Sequence, residues 1–268
     1  MFIGIDLGTS SVKTILIDES QKMIDQASCN IDLMNLQSGY YEQIPDSWFN
    51  ATLKCFSELK KNYPKEFIST KSIGLSGQMH GATLINKNGN VLRPCILWND
   101  TRSTKECFEM EKQYPQLREE SGNIAMPGFT APKILWIKKN EYSIFKEIYK
   151  VLLPKDYLRF KLTNSFYTDM SDASGTLWLN VKKREWSDNL LELTGLNLSN
   201  MPNLVEGNEP TSYLSNEIKS KFGFQNKVLI AGGAGDQAAG ALGSGVIDSE
   251  QSMISLGTSG VYFSPISK

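Results

Sequence analysis

One histidine in 268 residues, with four cysteines that show no Cys-x-x-Cys spacing, leaves this chain without the ligand set of a structural zinc site. Cys29, Cys55, Cys95 and Cys107 are too scattered for a disulfide framework and read as free thiols of a reducing compartment. An excess of either charge is also lacking. The 28 basic residues offset 29 acidic ones, so the charge balance recruits neither nucleic acid nor an acidic membrane surface. The short clusters Lys138-Lys139 and Lys182-Lys183-Arg184 read as solvated faces. No apolar run approaches the ~20 residues of a spanning helix, and the opening Met1-Phe2-Ile3-Gly4-Ile5-Asp6 has neither a basic n-region nor a long apolar h-region. A cytoplasmic protein is expected. Two phosphate-binding words are missing as well: no Gly-x-x-x-x-Gly-Lys-Ser/Thr leads into a helix, and no strand feeds a Gly-x-Gly-x-x-Gly turn. P-loop and Rossmann assignments are disfavoured.

What is present is an ordinary core-forming composition, 40% hydrophobic and 21% charged, enough for one large domain or two moderate ones. Two look-alike glycine turns stand near the ends, Leu7-Gly8-Thr9-Ser10-Ser11 and Leu256-Gly257-Thr258-Ser259-Gly260. In each, a strand-like apolar run breaks at Gly-Thr-Ser and resumes. Such a turn is either hairpin punctuation or a concavity of N–H donors that attracts phosphate.

Phe2 to Asp6, Val12 to Asp18 and Met23 to Ile31 read as a meander of strands. Pro45-Asp46 then opens an amphipathic helix through Trp48, Ala51, Leu53, Phe56 and Leu59, with Asp46 or Ser47 as its N-cap. Lys71 to Ser76 is a short buried strand. Three strands, a helix and a further strand imply a mixed α/β sheet rather than a plain βαβ repeat. Thr101 to about Leu198 is mostly helical by pattern, with helix starts at Thr130-Ala131-Pro132 and Pro154-Lys155-Asp156. Lys227 to Ala231 is a strand, Gly232 to Gly235 a loop, and Asp236 to Gly243 a helix of small residues.

Candidate chemistry gathers after strand ends. Asp6 either holds Mg²⁺ through water beside a phosphate turn or bonds its own backbone. Asp236 is either an N-cap or a carboxylate at a close-approach loop, where the helix N-terminus would keep it ionised and weakly basic. His80 is either structural or a ligand contact. With Gln78 and Gln237 it offers donors and acceptors suited to a polyol. Trp98-Asn99-Asp100 supplies either an aromatic plate with polar donors for a sugar or a helix cap.

The residues in these words resemble the FGGY carbohydrate kinases. The likeness is carried by Ile3-Gly4-Ile5-Asp6-Leu7-Gly8-Thr9-Ser10, Gly77-Gln78-Met79-His80-Gly81-Ala82-Thr83, Leu92-Arg93-Pro94 with Leu97-Trp98-Asn99-Asp100, Met126 to Lys133, Leu152 to Arg159, Asp169 to Thr176, and Ala231 to Asp236. Gln-Met-His-Gly is closest to the xylulose-phosphorylating members. The resemblance implies an actin-like, ribonuclease-H-like lobe and ATP-dependent phosphorylation of the C5 hydroxyl of D-xylulose. It implies Asp236 as general base, Asp6 at the Mg²⁺ and phosphate end, and Met79, His80, Gln78, Gln237 and Asp100 toward the sugar. Gly8, Thr9, Ser10, Ser11 and Lys13 would line one phosphate turn, Gly257 and Thr258 the other. Family members are longer, so residues 1–268 are expected to be the sugar-binding domain without its C-terminal nucleotide lobe, with little turnover alone. Self-association as a homodimer is also expected. A kinase for ribulose, fuculose or glycerol, or a non-catalytic sugar-binding module, are the alternatives.

Overall fold

The computed structural model describes residues 1–256 and 260–266. Phe2–Leu7 (β1) and Ser11–Ile17 (β2) pair antiparallel across the Gly8-Thr9-Ser10 turn, and Met23–Asn30 (β3) adds to β2 in the same sense. Ser72–Gly77 (β4) lies parallel to β1. Pro210–Tyr213 (β5), antiparallel, and Leu229–Ala231 (β6), parallel, extend the sheet in the order β5-β6-β4-β1-β2-β3, and Ala234–Gly235 (β7) also pairs with β4. The loop expected over Gly232 to Gly235 is therefore partly strand.

Alternation decides which face packs. Ile3, Ile5, Leu7, Ile73 and Leu75 are buried, whereas Gly4, Asp6, Ser72, Gly74 and Ser76 between them remain accessible. Successive strand side chains point to opposite faces, so one face is apolar and the other carries Asp6 and Ser76. Pro45–Asn62 (α1) covers the apolar face with Trp48, Ala51, Cys55 and Leu59, spaced three or four residues apart. The same core takes in Tyr157 and Leu162 of a later helix and Ile218 and Phe222 of Asn216–Phe222. Phe56, Phe67, Phe222 and Phe224 pack with ring centroids 4.8–6.3 Å apart.

The cap expected for α1 is corrected. Ile44 is the cap residue, no side chain bonds there, and Pro45, which has no N–H, takes the first helical position. Asp46 turns instead to the Tyr157 hydroxyl at 2.7 Å and to Lys161 at 3.1 Å.

A second core joins Thr130–Asn140 (α2) to Met110, Leu190, Leu191, Leu84 and Val151. Pro154–Thr163 (α3) belongs to the first core through Tyr157, Leu158 and Leu162. The helical expectation for residues 101–198 holds only in part, because short strands interrupt it, including Lys150–Leu152 paired with Thr83–Ile85. A hairpin of Met34–Gln37 and Tyr40–Gln43 between β3 and α1 was not foreseen. Asp236–Gly243 (α5) begins directly after β7. Met253–Leu256 and Gly260–Phe263 form the final hairpin, and Gly257 and Thr258 lie outside the described residues. No helix among the described residues is long and apolar enough to cross a membrane.

Candidate functional site

Register brings the distant carboxylates together. Asp6 faces Ser76 across β1 and β4, Ser76 faces Ala234 across β4 and β7, and the next rung is Leu7, Gly77 and Gly235. Asp236 follows Gly235 at once. Both acids thus reach the carboxyl ends of parallel strands, where α/β ligand sites form. Each carboxyl titrates above the ordinary range. Burial is the main cause at both, opposed at Asp6 by Lys13 and the Ser76 hydroxyl, and reinforced at Asp236 by the charge of Asp6. The charge of Asp6 thus reaches Asp236, as expected of acids at the ends of neighbouring strands.

Two expectations about Asp236 change. Gly235, not Asp236, is the cap of α5, and Asp236 takes the first helical position, where its Oδ1 accepts from Gln237 N at 2.8 Å. Burial outweighs the helix terminus, so Asp236 is a better proton acceptor than the sequence implied.

His80 follows β4 with φ of 67°. Its Nδ1 lies 2.7 Å from Gly175 O, and a carbonyl only accepts, so Nδ1 carries the proton and Nε2 keeps its lone pair. Phe129 meets the imidazole edge-on at 4.6 Å. Burial, with Lys133 second, pushes the His80 pKa down to about 4, so the ring is neutral at physiological pH. A Cβ on Gly175 would come 2.5 Å from Nδ1, and one on Gly235 2.8 Å from Met79 Sδ. Met79 and His80 therefore sit tightly over the two glycines beside Asp236.

Gln78 and Asp100 are engaged inside the protein, unlike the outward roles expected of them. Gln78 is buried; its Nε2 donates to Gln43 Oε1 at 2.9 Å and its Oε1 accepts from Thr9 Oγ1 at 3.3 Å. Trp98 Nε1 donates to Thr9 Oγ1 at 3.0 Å and Gln43 Nε2 to Thr9 O at 2.6 Å, which ties the first glycine turn to the loops around it. Gly8 N donates to Ser11 O at 3.0 Å to close that turn, leaving Ser10 and Lys13 exposed. Asp100 accepts from Tyr41 N at 2.7 Å and from the Arg102 side chain at 2.9 and 2.7 Å. It caps no helix, since Thr104–Gln113 begins beyond Ser103. Gln237 differs: its Oε1 is buried with no hydrogen-bond partner among the described residues.

Sequence reading missed the scaffold of the Asp236 loop. Arg159 Nη1 donates to Ala231 O at 2.6 Å and Nη2 to Gly232 O, while Gly235 N donates to Ser171 Oγ at 3.1 Å. Ser171 in turn donates to Asp169, and Lys155 Nζ lies 2.7, 2.7 and 3.1 Å from Asp156, Asp169 and Asp172. All five charged side chains are buried. Two cations meet three carboxylates, and burial, aided by Asp156 and Asp169, raises Asp172 well above the usual range. The available signal was charge at residues 155 and 156 and, one turn on, at 159, in a helix opened by Pro154.

Among the described residues no group of three or more His, Cys, Asp or Glu is placed to hold a metal by itself. The Asp6 carboxylate offers oxygen donors at the end of β1 beside the glycine turn, which suits Mg²⁺ completed by phosphates and water.

The model for the FGGY family of carbohydrate kinases, N-terminal domain, matches residues 1–243. The xylulose kinase of Escherichia coli is 48% identical over 98% of this chain and 54% of its own length, and that of Bacillus subtilis 39% identical over 98% and 53%. The chain thus spans about half the length of these curated relatives. A crystal structure titled as a xyloylose kinase from Brucella ovis superposes with a TM-score of 0.96 at 49% identity, covering 98% of this chain and 54% of that one. A gluconate kinase from Lactobacillus acidophilus superposes at 0.91 with 25% identity, covering 97% and 53%. The mixed sheet flanked by helices is therefore an actin-like ATPase fold, and the chain belongs to the FGGY family of carbohydrate kinases.

Proposed function

We propose that residues 1–268 form the sugar-binding domain of an ATP-dependent kinase that transfers a phosphoryl group to the C5 hydroxyl of D-xylulose. The observation that carries this reading is the register that sets Asp6 and Asp236 at the ends of neighbouring parallel strands, with His80 just beyond β4, and the reading takes all three to flank one crevice. Relatives named xylulose kinases support the substrate class. Asp236, held partly buried with a raised pKa, orients the attacking hydroxyl and accepts its proton as the bond to phosphorus forms. His80 Nε2 and Gln237 Oε1 accept from sugar hydroxyls, and Met79 packs on the carbon chain. Asp6 and Lys13 serve the phosphate end, with Gly8, Thr9, Ser10 and Ser11 shaping the turn. Gly257 and Thr258 belong to the same proposal from sequence alone. Asp6 would hold Mg²⁺, which when bound to ATP neutralises charge on the transferred phosphoryl group. Gln78 and Asp100 act here by fixing Thr9 and Arg102 rather than by touching sugar.

Calorimetric titration of the chain with D-xylulose, D-ribulose, L-fuculose and glycerol tests this. D-xylulose is expected to bind at least tenfold more tightly than the others, a discrimination of about 1.4 kcal/mol. Preference for glycerol, or no binding of any sugar, would contradict the reading. Absence of Mg-ATP binding alongside D-xylulose binding would instead favour a non-catalytic sugar-binding module.

A further inference from the structure

We propose that Lys133 is the positioning residue that holds His80 in its sugar-accepting conformation. This deepens the sugar-site reading above and rests on it. Lys133 is fully buried, and its Nζ donates to His80 O at 2.9 Å and to Gly128 O at 2.6 Å. Thr130 Oγ1 donates to the same His80 carbonyl at 3.1 Å. The hydrogen-bond partners of this ammonium are carbonyls, not carboxylates, and burying a cation without a paired anion is costly. Burial accordingly pushes its pKa down to about 7. Either charge state suffices, because a neutral amine still has one N–H for each of the two carbonyls.

The cost has a local return. His80 is not glycine, yet it holds φ of 67°, a left-handed conformation that costs about 1–2 kcal/mol and persists only when the surroundings dictate it. Two donors converging on its carbonyl fix the plane of the following peptide. With the backbone so fixed, the imidazole lies along Gly175 O, Nδ1 keeps the proton, and Nε2 is left as an acceptor. Through Gly128 O the same side chain braces the segment that presses Phe129 against the imidazole edge. Gly128 itself fits only without a side chain, since a Cβ there would lie 2.5 Å from Trp98 O. Lys133 thereby joins the loop after β4 to the start of α2.

His80 is the sole histidine, so its imidazole nitrogens can be read in the whole chain by ¹⁵N NMR without assignment. Wild-type chain is expected to show the Nδ1–H tautomer. K133M, close in length but without donors, is expected to show mixed tautomers and a D-xylulose affinity reduced about tenfold, the effect of losing one or two hydrogen bonds. Should K133M fail to fold, Thr130→Val, which removes the other donor to His80 O, is read in the same way with a smaller loss. An unchanged tautomer in a folded variant, or an affinity unmoved by a changed one, overturns the proposal. A wild-type chain that ignores D-xylulose refutes the sugar reading instead, while the tautomer comparison still decides whether Lys133 holds His80.

Discussion

At the scale of single residues, the site is a set of side chains held in unusual states by their surroundings. The His80 ring is neutral because it is buried, with Lys133 nearby, and Gly175 leaves room for it. Gly175→Ala should therefore push the imidazole off its seat and weaken D-xylulose binding by more than tenfold, measured by calorimetry, with the fold intact by circular dichroism. Asp236 carries the opposite shift. Its folded pKa lies above the unfolded one, so its contribution to stability is fully present below the unfolded pKa and is lost as pH rises through the folded pKa. At pH 7 the ionised carboxylate is a burden, and Asp236→Asn should raise Tm by on the order of 2 °C there and leave it unchanged at pH 3. In a protein with kinase turnover the same change should lower kcat by roughly 10²–10⁴-fold, the usual contribution of a positioned base. His80 and Asp236 were visible in the sequence because each stands in a glycine-rich loop after a strand. Gly175 and Lys133 were not, since they reach His80 from 95 and 53 residues away.

At the scale of elements, pattern succeeded where one face decides and failed where neighbours do. The spacing of Trp48, Phe56 and Leu59 marked α1 because its stripe packs on the sheet. The hairpin of Met34–Gln37 with Tyr40–Gln43 is short, exposed along its first strand and buried only at polar Glu42 and Gln43, with no apolar alternation to reveal it. The charged face of α3 is the instructive case. Lys155 and Arg159 look like solvent-facing residues by type, yet both are buried and hold the loop before Asp236. Lys155→Met should leave three carboxylates facing Arg159 alone and cost about 3–5 kcal/mol, seen as a lower urea midpoint with an unchanged m-value. Arg159→Met should free Ala231 O and Gly232 O and loosen the loop, detected as faster amide exchange at Gly235 and Asp236 than in the rest of the sheet.

At the scale of the whole molecule, one core packs under a sheet whose other face carries Asp6 and Ser76, and a second core lies apart from that sheet. The meander, helix and parallel strand were legible as a mixed sheet, and the family words extended that to an actin-like lobe. What stayed hidden is the relation between segments far apart in sequence: the rung that joins Asp6, Ser76 and Ala234 exists only once β1, β4 and β7 are paired. The C-terminal hairpin leaves Ile254, Leu256, Tyr262 and Ile266 exposed. Such apolar exposure should make the chain self-associate with rising concentration in sedimentation velocity, and serine at Ile254 and Tyr262 should reduce it.

The most direct test of the central claim is a crystal structure of this chain with D-xylulose. The account predicts the sugar in the crevice, its terminal hydroxyl within about 2.6–3.2 Å of the Asp236 carboxylate and another hydroxyl donating to His80 Nε2. Sugar bound at another face, with His80 and Asp236 untouched, would contradict it.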